Sequence, residues 1–171
     1  LKLFFHPAVM ECFGPRALLL EAEIEADHEV VGALQAMSVA ALGETPSGPL
    51  PSLVDGDLNL WEPNAILRHL ADKFALHEFY PFEPQERARV NLALDFRQSA
   101  GWRHTLVRLI YARLGFISCS VEEEKTARQR LQEDLFPTFF RLVGDGPLLG
   151  GDQPNLADLA FGFMFAVFHL M

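Results

Sequence analysis

Only two cysteines, Cys12 and Cys119, occur in this 171-residue chain. No disulfide framework can hold the fold, and a reducing compartment is the default reading. Basic residues are scarce: Lys and Arg number 14 against 23 Asp and Glu, a formal net charge of −9. That balance argues against nucleic acid as a partner, because binding it takes a basic face that displaces counterions. Long apolar runs are missing too. The longest, Leu159 to Met171, is too short to span a bilayer and is broken by Gly162 and His169. The six histidines form no His-Glu-x-x-His, and no Cys-x-x-Cys occurs, so no metal is expected. There is no Gly-x-Ser-x-Gly elbow. The glycine-rich run Gly144 to Gly150 has no strand before it, as a dinucleotide loop would need. The opening Leu1-Lys2-Leu3-Phe4-Phe5 is strand-like and lacks the apolar core of a signal peptide, which makes the cytoplasm the expected location. The chain opens without Met and stops at Met171 inside an apolar helix, so a further C-terminal piece is expected.

What is present centres on residues 50–67, which read as strand, turn, strand, helix. Asp55-Gly56 sits between two apolar pieces and tolerates the positive φ angles of a hairpin turn. Leu58 and Leu60 flank polar Asn59, the alternation of a strand with one buried face. Glu62-Pro63 then opens a helix, since proline at the first helical position loses no needed hydrogen bond. Ile66, Leu70 and Phe74 follow at spacing four, with Leu67 and Ala71 beside them. An X-Pro bond such as Leu50-Pro51 is cis in roughly one case in twenty on chemistry alone.

Upstream, Leu1 to Phe5 reads as a first strand, Gly14-Pro15 opens a helix, and Glu29-Val30-Val31 is a weak second strand. A helix is expected over Leu34 to Leu42, followed by a turn-rich loop from Glu44 to Pro49. The order βαβ-α-ββα suits a thioredoxin-like sheet. Tyr80-Pro81-Phe82-Glu83-Pro84 punctuates the chain, and beyond it no strand pattern occurs. One long helix is expected from Gln85 to Leu114. A second starts at the capping box Ser120-Val121-Glu122-Glu123 and runs to about Val143 with a bend at Pro137; a third follows Asn155-Leu156-Ala157-Asp158. The expected fold is thus an α/β thioredoxin-like N-terminal domain (residues 1–78), a linker (79–84) and an all-α C-terminal domain (85–171).

Leu50-Pro51-Ser52-Leu53 and Glu62-Pro63-Asn64-Ala65-Ile66 resemble two signatures of the glutathione transferase family, a Val-Pro-x-Leu segment and a Glu-Ser-x-Ala-Ile helix start. Gly150-Gly151-Asp152-Gln153-Pro154-Asn155-Leu156-Ala157-Asp158 is similar to the family's Gly-Asp-x-Pro-Thr-x-Ala-Asp segment. Arg103-His104-Thr105-Leu106-Val107-Arg108 is similar to theta-class and bacterial theta-like members. The resemblance covers nearly the whole chain. It implies a cis bond at Pro51 and glutathione as co-substrate, held by Leu50, Pro51, Glu62, Pro63 and Asn64. It also implies a homodimer, a small apolar electrophile as second substrate, and a detoxifying role. One position departs: Pro63 stands where the family has a serine, and proline offers neither hydroxyl nor N–H.

Cys12 is the candidate catalytic residue. It lies two residues before Gly14-Pro15, where a helix N-terminus favours an anion and lowers a thiol's pKa. It also stands four before Arg16, as the theta-like serine stands before its arginine. Burial as a small apolar side chain is the alternative reading. Trp102, Arg103 and His104 are the candidate second-substrate pocket, against an ordinary role in helix packing. Three functions stay open: glutathione conjugation, thiol-disulfide exchange through Cys12, and a non-catalytic glutathione transferase-like interaction module.

Overall fold

The computed structural model describes residues 1–32, 50–99 and 101–170, so the helix expected over 34–42 and the loop over 44–49 lie outside the described residues. The chain divides into two compact units, Leu1–Pro81 and Phe82–Met171.

In the first unit, β1 (Lys2–Phe5) and β2 (Asp27–Val30) are parallel, joined through α1 (Phe13–Glu21). The hairpin β3 (Ser52–Asp55) and β4 (Leu58–Trp61) completes a four-stranded sheet in the order β2-β1-β3-β4. β1 lies inside the sheet, so Leu3, Phe4 and Phe5 are buried, whereas every residue of edge strand β2 is exposed. This explains why β2 reads weakly in sequence: an edge strand has little to bury. Gly56 turns the hairpin at φ +60°. Asp55, the last residue of β3, accepts hydrogen bonds from His69 Nε2 (2.8 Å) and from Lys73 Nζ, tying the hairpin to α2 (Pro63–Lys73). The Lys73 bond, then that of His69, holds the Asp55 carboxyl below its ordinary range. Ile66, Leu67, Leu70 and Ala71 bury the inner face of α2 against α1. Phe74, expected on that face, is instead the residue at which the helix ends, and it is partly exposed.

The second unit is helical. α3 (Pro84–Ser99) ends before Gly101, which adopts φ +85°; the chain resumes as a π-type turn (Arg103–Val107) leading into α4 (Arg108–Arg113). The single helix expected from 85 to 114 is therefore interrupted. Glycine suits the break: φ +85° disfavours a Cβ, and the Arg130 guanidinium lies 2.7 Å from where one on residue 101 would sit. α5 (Val121–Arg130) begins at the expected capping box: Ser120 N–H donates to Glu123 Oε2 (2.9 Å), and Glu123 N–H donates to Ser120 Oγ (3.3 Å). The bend expected at Pro137 is a second π-type turn, Leu131–Leu135, placed just before α6 (Phe136–Val143). Proline has no N–H for the regular ladder, and the widened turn absorbs that loss. α7 (Leu156–Leu170) packs on α3. Trp102 lies at the centre of this unit, with its ring against Phe96, Phe136, Phe139, Phe161 and Phe165.

Candidate functional site

The candidate residues of the first unit gather at the end of the sheet where β1 finishes. The antiparallel register runs Lys2↔Val54, Leu3↔Leu53, Phe4↔Ser52, and the ladder stops there, just after the Leu50-Pro51 peptide. That bond is cis. The Leu50 side chain packs into one buried cluster with Phe4, Phe5 and Cys12, flanked by Val9, Val31 and Val54. Residues 12 and 50, far apart in sequence, are thus neighbours.

Cys12 stands directly before α1, as expected, but not at the open mouth of the helix. A 3₁₀ turn, Met10–Cys12, precedes it and runs straight into α1. The Cys12 N–H already donates to the Val9 carbonyl (3.0 Å), and the Phe13 N–H to that of Met10. The free end of the helix therefore lies one turn earlier, and the sulfur falls inside the core at 1% exposure. Burial pushes the Cys12 thiol up to about 12. A hydrogen bond with the His6 backbone opposes the shift, the charge of Glu11 adds to it, and that of Arg16 opposes it. This reverses the lowered pKa expected of a helix-terminal cysteine. Burial thus keeps Cys12 as the thiol, the poorer nucleophile. Iodoacetamide applied to the native protein at mildly alkaline pH is expected to alkylate the partly exposed Cys119 and to spare Cys12. Peptide mass spectrometry reads the result; a native-state adduct on Cys12 would contradict its burial.

The start of α2 supplies the other cluster. Glu62 is exposed and holds φ 71°, ψ 117°, a left-handed backbone that costs a residue with a Cβ about 1–3 kcal/mol. Its carbonyl accepts from the N–H groups of Ala65 and Ile66, both at 3.1 Å, so the helix starts on it. Pro63 and Asn64 follow, both buried.

In the helical unit the three second-substrate candidates separate. Trp102 is fully buried and ringed by five phenylalanines, so it is a core residue and not a pocket wall. The Arg103 side chain lies outside the described residues. His104 is exposed and lines a cavity of about 340 Å³ with Thr105, Arg108, Glu123, Thr126 and Arg130. Among the described residues no group of three His, Cys, Asp or Glu is placed to hold a metal, and no helix is long and apolar enough to cross a membrane.

One residue escaped the sequence reading. His6 directly follows β1, and its Nδ1 accepts a hydrogen bond from the Ala8 N–H (3.0 Å). Its position just past a strand end was the available signal, since ligands in open α/β sheets meet the chain beyond such ends.

No protein-family model matches the chain. Over 122 residues it is 38% identical to human glutathione S-transferase theta-2B, which covers 66% of this chain and 48% of that protein. Over 173 residues it is 28% identical to the dichloromethane dehalogenase of Methylorubrum extorquens, covering 94% of this chain and 59% of the relative. A solved structure of human glutathione transferase theta-2, in complex with glutathione and an unknown ligand, matches with a TM-score of 0.82 at 26% identity. That match covers 96% of this chain and 70% of the solved one. The chain thus spans 48% to 59% of the length of these two curated relatives.

Proposed function

Because the chain is homologous to the theta-class glutathione transferases, we propose that it conjugates the glutathione thiolate to small apolar electrophiles. What supports this most directly is Glu62, an exposed acid held at φ 71° immediately before the buried Pro63 and Asn64. Strained backbone persists where a site demands it. In this reading the backbone of Leu50, next to Pro51, pairs with the cysteinyl part of glutathione, while Glu62 and Asn64 receive the γ-glutamyl end. The thiol loses its proton to solvent and the thiolate attacks carbon. The carbon–halogen or equivalent bond breaks, and the leaving group departs with its electron pair. The relative named as a dichloromethane dehalogenase brings small halogenated alkanes into the substrate class. His104 and the cavity beside it are the remaining candidates for contact with the electrophile. A homodimer, a cytoplasmic location and a detoxifying role belong to the same proposal.

Thiol-disulfide exchange through Cys12 finds no support in a sulfur at 1% exposure with its pKa pushed up to about 12. An interaction module without catalysis is the competing reading, and Pro63 is what favours it.

Steady-state conjugation with a panel of halogenated electrophiles tests the proposal, followed by thiol consumption and product mass. Turnover in the wild type is expected at a high KM for glutathione. Each hydrogen bond to a carboxylate that Pro63 fails to make is worth about 1.5–3 kcal/mol, so Pro63→Ser should lower that KM by about ten- to a hundred-fold. No turnover in either protein would favour the module.

A further inference from the structure

Resting on the glutathione reading above, we propose that His6 is the catalytic residue that steadies the glutathione thiolate, its Nε2–H donating a hydrogen bond to the sulfur.

Position is the first argument. The β1–β3 register pairs Leu3 with Leu53 and Phe4 with Ser52. The ladder ends at that last pair, so His6 lies two residues past the paired end of β1 and Leu50 two residues before that of β3, and both belong to the same end of the sheet. The buried cluster of Phe5, Cys12 and Leu50 ties the two segments together.

The helix start gives the second. The His6 carbonyl accepts the Val9 N–H (3.0 Å), and the Val9 carbonyl accepts that of Cys12 (3.0 Å), so the turn that begins at His6 feeds the 3₁₀ segment and then α1. The positive end of that helix points back toward Met10 and the residues before it, not toward the Cys12 sulfur. At this end of the sheet His6 is partly open to solvent, whereas the Cys12 sulfur is buried.

The ring itself gives the third. A backbone N–H can only donate, so the Ala8 bond makes Nδ1 an acceptor and leaves the proton on Nε2. The ring is partly open to solvent. Among the described residues, Glu11 and Arg16 are the charged groups acting on Cys12; Arg16 lies 4.1 Å over the Phe5 ring, and His28 of β2 meets that ring edge-on at 5.9 Å, while Lys2, Asp27 and Glu29 are the charged side chains of β1 and β2. Cys12, at the position of the theta-like serine, is buried. In the proposed step Nε2–H donates to S⁻ while the thiolate attacks carbon and the leaving group departs as an anion. A donor held in place by its own hydrogen bond needs little reorganisation to meet negative charge.

The thiolate absorbance of bound glutathione, titrated with pH, tests this on the full chain for wild type, His6→Ala and His6→Gln. A charge-assisted bond of ordinary strength predicts that His6→Ala leaves about ten- to a hundred-fold less thiolate at neutral pH. A matching fall in kcat/KM is expected, with the glutathione affinity changed by less than about three-fold. His6→Gln, which retains an N–H donor, should recover part of both. An unchanged thiolate titration in His6→Ala overturns the assignment. So does a loss confined to glutathione affinity, which would mark His6 as structural. If the wild type itself takes up no glutathione, the underlying reading falls and the role of His6 falls with it.

Discussion

Trp102→Ala is expected to destabilise the chain by about 3–5 kcal/mol, the range for emptying a fully buried tryptophan site. Trp102 is 0% exposed, and its ring makes edge-on contacts with five phenylalanines whose centroids lie 5.5–6.0 Å away. Each such pair adds about 0.5–1.5 kcal/mol beyond the area it buries. The five rings come from α3, α6 and α7, so one truncation loosens three helices together. Denaturant unfolding of the full chain measures the loss, and near-UV circular dichroism should lose its tryptophan band, because Trp61 is half exposed. Trp102→Phe checks the core assignment directly. As a core residue it should lower stability by about 1–2 kcal/mol and leave the KM for the electrophile in place. As a pocket wall it would shift that KM with little effect on stability.

Asp158→Ala is the second large effect. The Asp158 carboxylate accepts three backbone N–H groups, from Leu149 (2.8 Å), Gly150 (3.1 Å) and Asn155 (2.9 Å). Asn155 answers at the start of α7: its Oδ1 accepts from the Ala157 N–H (2.8 Å) and the Asp158 N–H (3.3 Å). The pair is a reciprocal cap that also pins the preceding loop. That loop has no slack, since a Cβ on Gly150 would lie 2.1 Å from the Gln153 carbonyl oxygen. Bonds to a charged acceptor are worth about 1.5–3 kcal/mol each. Discounted for the exposed Gly150 bond, the three together predict a loss of about 3–5 kcal/mol. Asp158→Asn keeps the shape but turns one acceptor into a donor facing N–H groups, so it too should lose about 2–3 kcal/mol. A change under about 1 kcal/mol in thermal or denaturant unfolding would show that the loop is held by something else.

Local chemistry made much of this legible in advance. Gly56 in the hairpin, Pro63 at the first turn of α2 and the Ser120–Glu123 box each announce their structure within a few residues. The resemblance to glutathione transferases was readable from the segments around Leu50-Pro51, Glu62 and Asp158, and its theta-like character from Arg103 to Arg108. What was hidden depends on groups distant in sequence. Gly101 adopts φ +85° beside an arginine from α5, and nothing near residue 101 in sequence signals that. Trp102 reads as one of three adjacent pocket candidates until phenylalanines from other helices close over it. Gly14-Pro15 marks a helix start correctly, yet the 3₁₀ turn that carries the helix back to Met10 has no sequence signature, and neither does the cluster of Phe4, Phe5 and Leu50 in which Cys12 is buried. A lone histidine such as His6 carries no motif; its interest lies in its place just past β1 and in one backbone N–H.

Calorimetric titration of the full chain with glutathione tests the central claim most directly. The account predicts saturable heat with one tripeptide per chain, weak enough to need millimolar ligand because Pro63 offers no N–H or hydroxyl. Flat heats up to saturating millimolar glutathione would contradict it and leave a transferase-like fold without the transferase's substrate.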